Sequence, residues 1–251
     1  AGCGLLADSA PLELLHTASG WGALELKRRR GHQDLPALVF PDSTLGPEQE
    51  RWLTLLEHGK FPEQDPDLSP GEWMVQAEWR DLLEKSLAGT ADNGGGPPSP
   101  VPGEQGGNDW SRPFPAGKNK GRKWYAYLHL GVMRMEASDD DGARQAWQES
   151  IRLHPSAWAY RNLGALEVRR NLPGDALPHY RRAWELASAV GTPDISFAVE
   201  YLSALHAAGE NEEGWKFFSR LPPEMRAADP IRILAARIAF VRNDLDFVED
   251  A

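Results

Sequence analysis

From Gly142 to Pro155 the chain reads GARQAWQESIRLHP, and small and bulky residues alternate along one helical edge. Ala143, Trp147 and Ser150 are separated by steps of four and three, polar residues lie between them, and a proline closes the run. The arrangement returns further on. YLHLGVMRM at 127–135 lies over YRNLGALEV at 160–168, so that Tyr127, Leu130 and Gly131 fall on Tyr160, Leu163 and Gly164, a shift of 33 residues. The same shift puts Ala143 on Ala176, Trp147 on Tyr180 and Ser150 on Ala183. Agreement at six positions in two helices predicts stacked helical hairpins. Antiparallel helices pack closely where small residues meet, with bulky side chains in the grooves beside them. Gly131 should therefore face Ala143, and Gly164 face Ala176, while Trp147 and Tyr180 reach toward the following hairpin. One pair of helices cannot bury such a face alone, whereas a stack can.

Leu-Gly early in the first helix, Ala with an aromatic four residues on, a small residue three later and Pro155 five beyond that together resemble the tetratricopeptide repeat, which is normally 34 residues long. The resemblance covers 124–155 and 157–187. Aligning on Gly209 gives a degenerate third repeat at 195–226 with Leu202, Gly214 and Phe218, and DPIRILAARIAFVR opens a partial fourth over 229–251. Two departures stand out. Pro178 lies inside a predicted helix, and its cost largely vanishes if Asp175 is the N-cap and puts it in the first turn. Position 188, where the repeat would end in proline, is Ser, and Pro193 follows five residues later.

The first 90 residues are less regular. Pro47 opens a helix near 46–58 after Ser43 or Thr44, with Trp52, Leu53, Leu55 and Leu56 as its apolar side. Ser69-Pro70-Gly71-Glu72 has the form of a capping box, predicting a helix over 70–87 through Trp73, Ala77, Leu82 and Leu83. LELLHTASGWGALELK reads either as a helix broken at Ser19-Gly20 or as strand, turn and strand, and PALVF at 36–40 is short enough for a strand. Residues 91–122 hold six prolines and ten glycines or serines, which predicts a disordered linker or inserted loop. The fold class expected is mainly α: an irregular, partly helical N-terminal region, a Gly/Pro-rich flexible segment, then a tetratricopeptide-like α-solenoid of about three and a half hairpins over 123–251.

With 41% apolar residues and 10 Trp the chain has enough to bury a core. A net charge of −10 with no strongly basic segment argues against nucleic acid, and Lys27-Arg28-Arg29-Arg30 reads as a solvated run. No apolar stretch approaches bilayer length, so no membrane role is expected. One cysteine, Cys3, excludes an intrachain disulfide and fits a reducing, cytoplasmic setting. The chain begins without Met and ends without a stop signal, as a piece of a longer polypeptide would.

The tetratricopeptide resemblance implies no chemistry of its own. It implies a groove, lined by the first helix of each hairpin, that binds a protein or peptide. Projected onto this sequence the groove comprises Tyr125, Leu128, Val132, Met135, Trp158, Arg161, Ala165, Arg169, Val199, His206, Ile233 and Arg237. Such a surface suits an extended segment or amphipathic helix carrying acidic residues. Only Asn162 matches the terminal-carboxylate clamp of one subclass, so that mode is not expected.

HTASGWGALE at 16–25, with FPDSTLGPEQERWLTLLEHGKFP further on, resembles the junction of an uncharacterised bacterial family that joins such repeats to a mutarotase-like β-supersandwich domain of unknown function. That resemblance implies an upstream sugar domain and a carbohydrate partner as the alternative reading. In it, His16, Trp21 and Glu25 would supply a stacking ring and a carboxylate, with Asp65, Asp67, Glu72 or Glu78 as the second acid. The seven His show no i, i+4 pair, no calcium-loop pattern is present, and Gly94-Gly95-Gly96 runs into Pro-Pro rather than a helix. No metal, cofactor or catalytic residue is identified.

Overall fold

In a computed structural model the chain is described over residues 20–30, 40–65, 68–88, 123–191 and 193–250. It divides into two compact units, one of residues 1–64 with 71–101 and the other of 65–70 with 102–251. The regular elements among the described residues are all helical. His16, Cys3, most of PALVF and the Gly/Pro-rich segment lie outside them.

The first unit contains α1 (Gly20–Arg28), a 3-10 turn (Asp42–Thr44), α2 (Pro47–His58) and α3 (Ala77–Ala88). Trp52, Trp79, Leu24, Leu55 and Leu83 are all but fully buried, and the Trp52 ring lies 4.8 Å from Phe61 and 6.0 Å from Trp79. Ser43 and Thr44 belong to the 3-10 turn, and the N-cap of α2 is Gly46, whose N–H donates to the Gln49 side chain at 2.9 Å. The proposed capping box at Ser69 starts no helix. Gly71 has a φ of +72°, the left-handed region that breaks a helix, so α3 begins at Ala77 and Trp73 stays outside it.

In the second unit four hairpins follow one another: α4 (Trp124–Glu136) with α5 (Asp140–Leu153), α6 (Ala157–Arg169) with α7 (Pro173–Val190), α8 (Ile195–Ala207) with α9 (Asn211–Arg220), and, after the single turn α10 (Pro223–Arg226), α11 (Asp229–Val241) with α12 (Leu245–Asp250). This is a tetratricopeptide-like α-solenoid. Its most regular feature is the turn inside each hairpin. Ser138, Asn171, Gly209 and Asn243 have φ values of 63°, 62°, 79° and 60°. The next residue in each case donates five residues back, Asp139 to Arg134, Leu172 to Glu167, Glu210 to Leu205 and Asp244 to Ala239, each at 2.9 Å. Each turn thus ends its helix in a Schellman motif, which satisfies carbonyls the helix terminus leaves open and reverses the chain in a fixed direction. Caps fix several starts as well: Asp139 accepts from the Gly142 N–H at 2.9 Å, Ser156 from Ala159 at 3.3 Å and Asp194 from Phe197 at 2.6 Å.

The notch over Gly131 is filled from within its own hairpin. A side chain at Gly131 would overlap the Trp147 indole, whose Nε1–H donates to the Leu128 carbonyl at 3.1 Å. Tyr180 fills its own notch and reaches the next hairpin: its ring lies on Gly164 and meets Phe197 and Tyr201 of α8 at 6.2 and 6.0 Å. A buried indole of this size contributes on the order of 4 kcal/mol, which explains why glycine is required beneath it. The Ser150 hydroxyl donates to the Trp124 carbonyl at 2.7 Å, tying the two ends of hairpin one together. Between hairpins one and two, Arg144 pairs with Glu167, which is almost fully buried.

Asp175 is not an N-cap. Helix α7 begins at Pro173, so Pro178 sits in its interior. Its ring takes the place of an N–H that would otherwise reach Gly174. Because Pro178 is exposed, the carbonyl it leaves unbonded can be hydrated.

Candidate groove and cleft

Helix α11 is apolar on two sides. Ile231, Leu234, Ala235 and Ile238 are buried against Leu202, Phe218 and Met225. On the opposite side Ile233, Phe240 and Val241 are 55%, 65% and 58% exposed. A surface helix normally carries one apolar stripe, and a second one calls for a second cover. The outer stripe forms one wall of a cleft of about 510 Å³. His206 of α8, Val248 of α12, Arg232 and Arg237 also line it. His206 is oriented by Nδ1, 2.8 Å from the Asn211 side-chain oxygen. Arg237 is exposed and forms no ion pair with a described residue. The nearby Arg242 is committed elsewhere: it bonds Glu212 at 2.8 Å and lies 4.8 Å over the Trp215 ring.

The groove projected from the sequence divides into four parts. Tyr125 and Leu128 are buried, with the Tyr125 hydroxyl donating to the Pro70 carbonyl at 2.5 Å and its ring edge-on to His129 at 4.6 Å. They belong to the core and not to an open surface. The arginines of hairpin two are struts. Arg161 grips Glu200 with two hydrogen bonds of 2.9 and 2.8 Å, approaches Asp194 at 3.6 Å and lies 4.8 Å over the Phe197 ring. Burial opposes its charge, but Glu200 and Asp194 more than offset this and hold it more firmly protonated than usual. Arg169 reaches Asp140 at 3.8 Å and donates to the Met135 carbonyl at 3.3 Å. Val132, Met135, Trp158, Ala165 and Val199 are half-buried. His206, Ile233 and Arg237 line one cleft. Phe240, Val241 and Val248 complete it and were missed, although the spacing 233, 237, 240 on α11 pointed to the first two.

The carbohydrate candidates fare differently. Glu25 is bonded by Arg28 at 2.6 and 2.8 Å, by Arg29 at 2.6 Å and by the Trp79 indole at 3.1 Å. The Arg28 bonds chiefly, with Arg29 and Trp79, overcome burial and bring its pKa down to about 2. A carboxylate so held is a poor proton carrier near neutrality. The basic run is likewise partly neutralised, as Lys27 bonds Asp42 at 2.7 Å. Among the described residues no group of three or more His, Cys, Asp or Glu is placed to hold a metal, and no helix is long and apolar enough to cross a membrane.

No protein-family model matches the chain. No curated protein matches it. Among solved structures it is similar to the crystal structure of YrrB, described as a TPR protein with an unusual peptide-binding site. That similarity has a TM-score of 0.46 and 15% identity, over 68% of this chain and 71% of that one.

Proposed function

We propose that the chain is a non-enzymatic interaction module that holds an acidic, amphipathic peptide segment of a partner protein in the cleft of α8, α11 and α12. The observation that supports this most is the outward stripe of Ile233, Phe240 and Val241 beside Arg237. Apolar side chains of a partner helix would remove the stripe from water, and a carboxylate on its flank would answer Arg237. Val132, Met135 and Trp158 are the candidates for extending the groove toward the first hairpins. The carbohydrate alternative would need a usable pair of carboxylates, and Glu25 is already spent on two arginines.

The test is a peptide-display selection on the full chain, followed by calorimetry with the selected sequence. Ile233→Asp should weaken binding at least about tenfold, Arg237→Gln should weaken it less and reduce its salt dependence, and helical circular dichroism should stay unchanged. Selected peptides without acidic residues, or affinities untouched by Ile233→Asp, would remove the cleft as the binding surface.

A further inference from the structure

The second helices of the first three hairpins differ in length: α5 has 14 residues, α7 has 18 and α9 has 10. The sequence accounts for both extremes. Ser188 stands where a proline would stop α7, which runs on to Val190, while Pro222-Pro223 prevents α9 from continuing past Arg220. Where α7 overhangs α9 a cleft of about 460 Å³ remains. This lies within the size range of small-molecule sites, roughly 300–1,000 Å³.

Its walls are aromatic. Trp184 meets Phe217 at 4.8 Å in an edge-on arrangement of 81°, and Tyr201 meets Phe217 at 4.7 Å. Its lining carries two glutamates and two arginines, and the glutamates have cationic partners outside it. Glu185 is answered by Arg182 at 2.9 Å and Glu213 by Lys216 at 3.5 Å. Two guanidiniums of the lining are then left over: Arg181 and Arg220, both exposed and in no ion pair with a described residue. Edge-on rings offer a further ring both a face and an edge, and a guanidinium fork matches a carboxylate. We propose that this cleft binds a small aromatic carboxylate, with its ring against Trp184 and Phe217 and its charge toward Arg181 and Arg220. The site is separate from the α11 cleft, and a ligand in it braces hairpin two against hairpin three.

Indole-3-acetate and phenylacetate are suitable probes for calorimetry and thermal unfolding on the full chain, with indole-3-acetamide as the uncharged control. The acids should bind saturably and raise the melting temperature with concentration, and the amide should bind about tenfold more weakly. Arg220→Gln, at an exposed helix end, should cost the acids about tenfold and leave the amide unchanged. Phe240→Ser, in the α11 cleft, should change neither, so a failed peptide site and a failed aryl-acid site are told apart. Absence of saturable binding, equal affinity for acid and amide, or acid affinity unchanged in Arg220→Gln would each overturn the assignment.

Discussion

The hairpins between Trp124 and Val190 close on a glycine lying under an aromatic ring, Gly131 under Trp147 and Gly164 under Tyr180. The hairpin between Ile195 and Arg220 inverts this: Leu202 takes the first-helix place of the glycine, and the small residue moves across to Gly214, which receives Ile238 of α11. In the first region the notch is sealed from inside, and Arg161 and Arg169 are spent on struts. In the second region the second helix is shorter, α11 keeps an uncovered apolar side with a cleft beside it, and the other cleft opens where α7 of the first region meets hairpin three. Regular repetition buries the surface of such a solenoid, and departures from the repeat leave the surface a ligand can use.

The comparison is broken most forcefully at Gly131. Gly131→Leu should destabilise the chain by about 3 kcal/mol or more, because the Trp147 indole leaves no room for the side chain. Gly214→Ala should cost no more than about 1 kcal/mol, because the nearest atom is the end of a flexible isoleucine. Urea unfolding followed by circular dichroism separates the two, and equal costs would erase the distinction between the regions.

Next in size is the buried pair between hairpins one and two. Glu167→Ala leaves Arg144 without its carboxylate and should cost about 2 kcal/mol, seen in the same urea midpoints. His179 lies near this pair, and burial holds it below its usual range, with Glu167 and Asp175 pulling up and Arg144 pulling down. The folded value lies below the unfolded one of about 6.5, so the unfolded chain binds more protons. Its contribution is full above about pH 6.5 and is lost as pH falls toward the folded value, no more steeply than about 1.4 kcal/mol per pH unit. His179→Gln should flatten that part of the stability profile.

The smallest effect sharpens the comparison from the other side. Pro178→Ala restores a helical N–H in α7 and should stabilise the regular region by about 1 kcal/mol, measured as a higher melting temperature.

The hairpins were legible because their rule is local: small and aromatic residues at fixed helical steps can be read without knowing what they touch. The double use of Tyr180 was not, since the same spacing permits a ring to fill its own notch, its neighbour's or both. The turns at Ser138, Asn171, Gly209 and Asn243 form the most exact repeat in the structure, yet three residue types occupy one left-handed position, so their identity hides the period. At Ser69 the capping letters were right but Gly71 took a positive φ, a choice made by the surrounding backbone and not by the motif. Site projection failed at Tyr125, Leu128 and Arg161 because position within a repeat says which way a residue points, and not what already stands in front of it.

Amide hydrogen exchange of the full chain, with and without a saturating selected acidic peptide, is the most direct trial of where this solenoid binds. Slower exchange along α11 and the His206 end of α8, with α4 and α5 unchanged, is the predicted outcome. Protection confined to α4–α6, or no protection on α11 at saturation, would contradict the account.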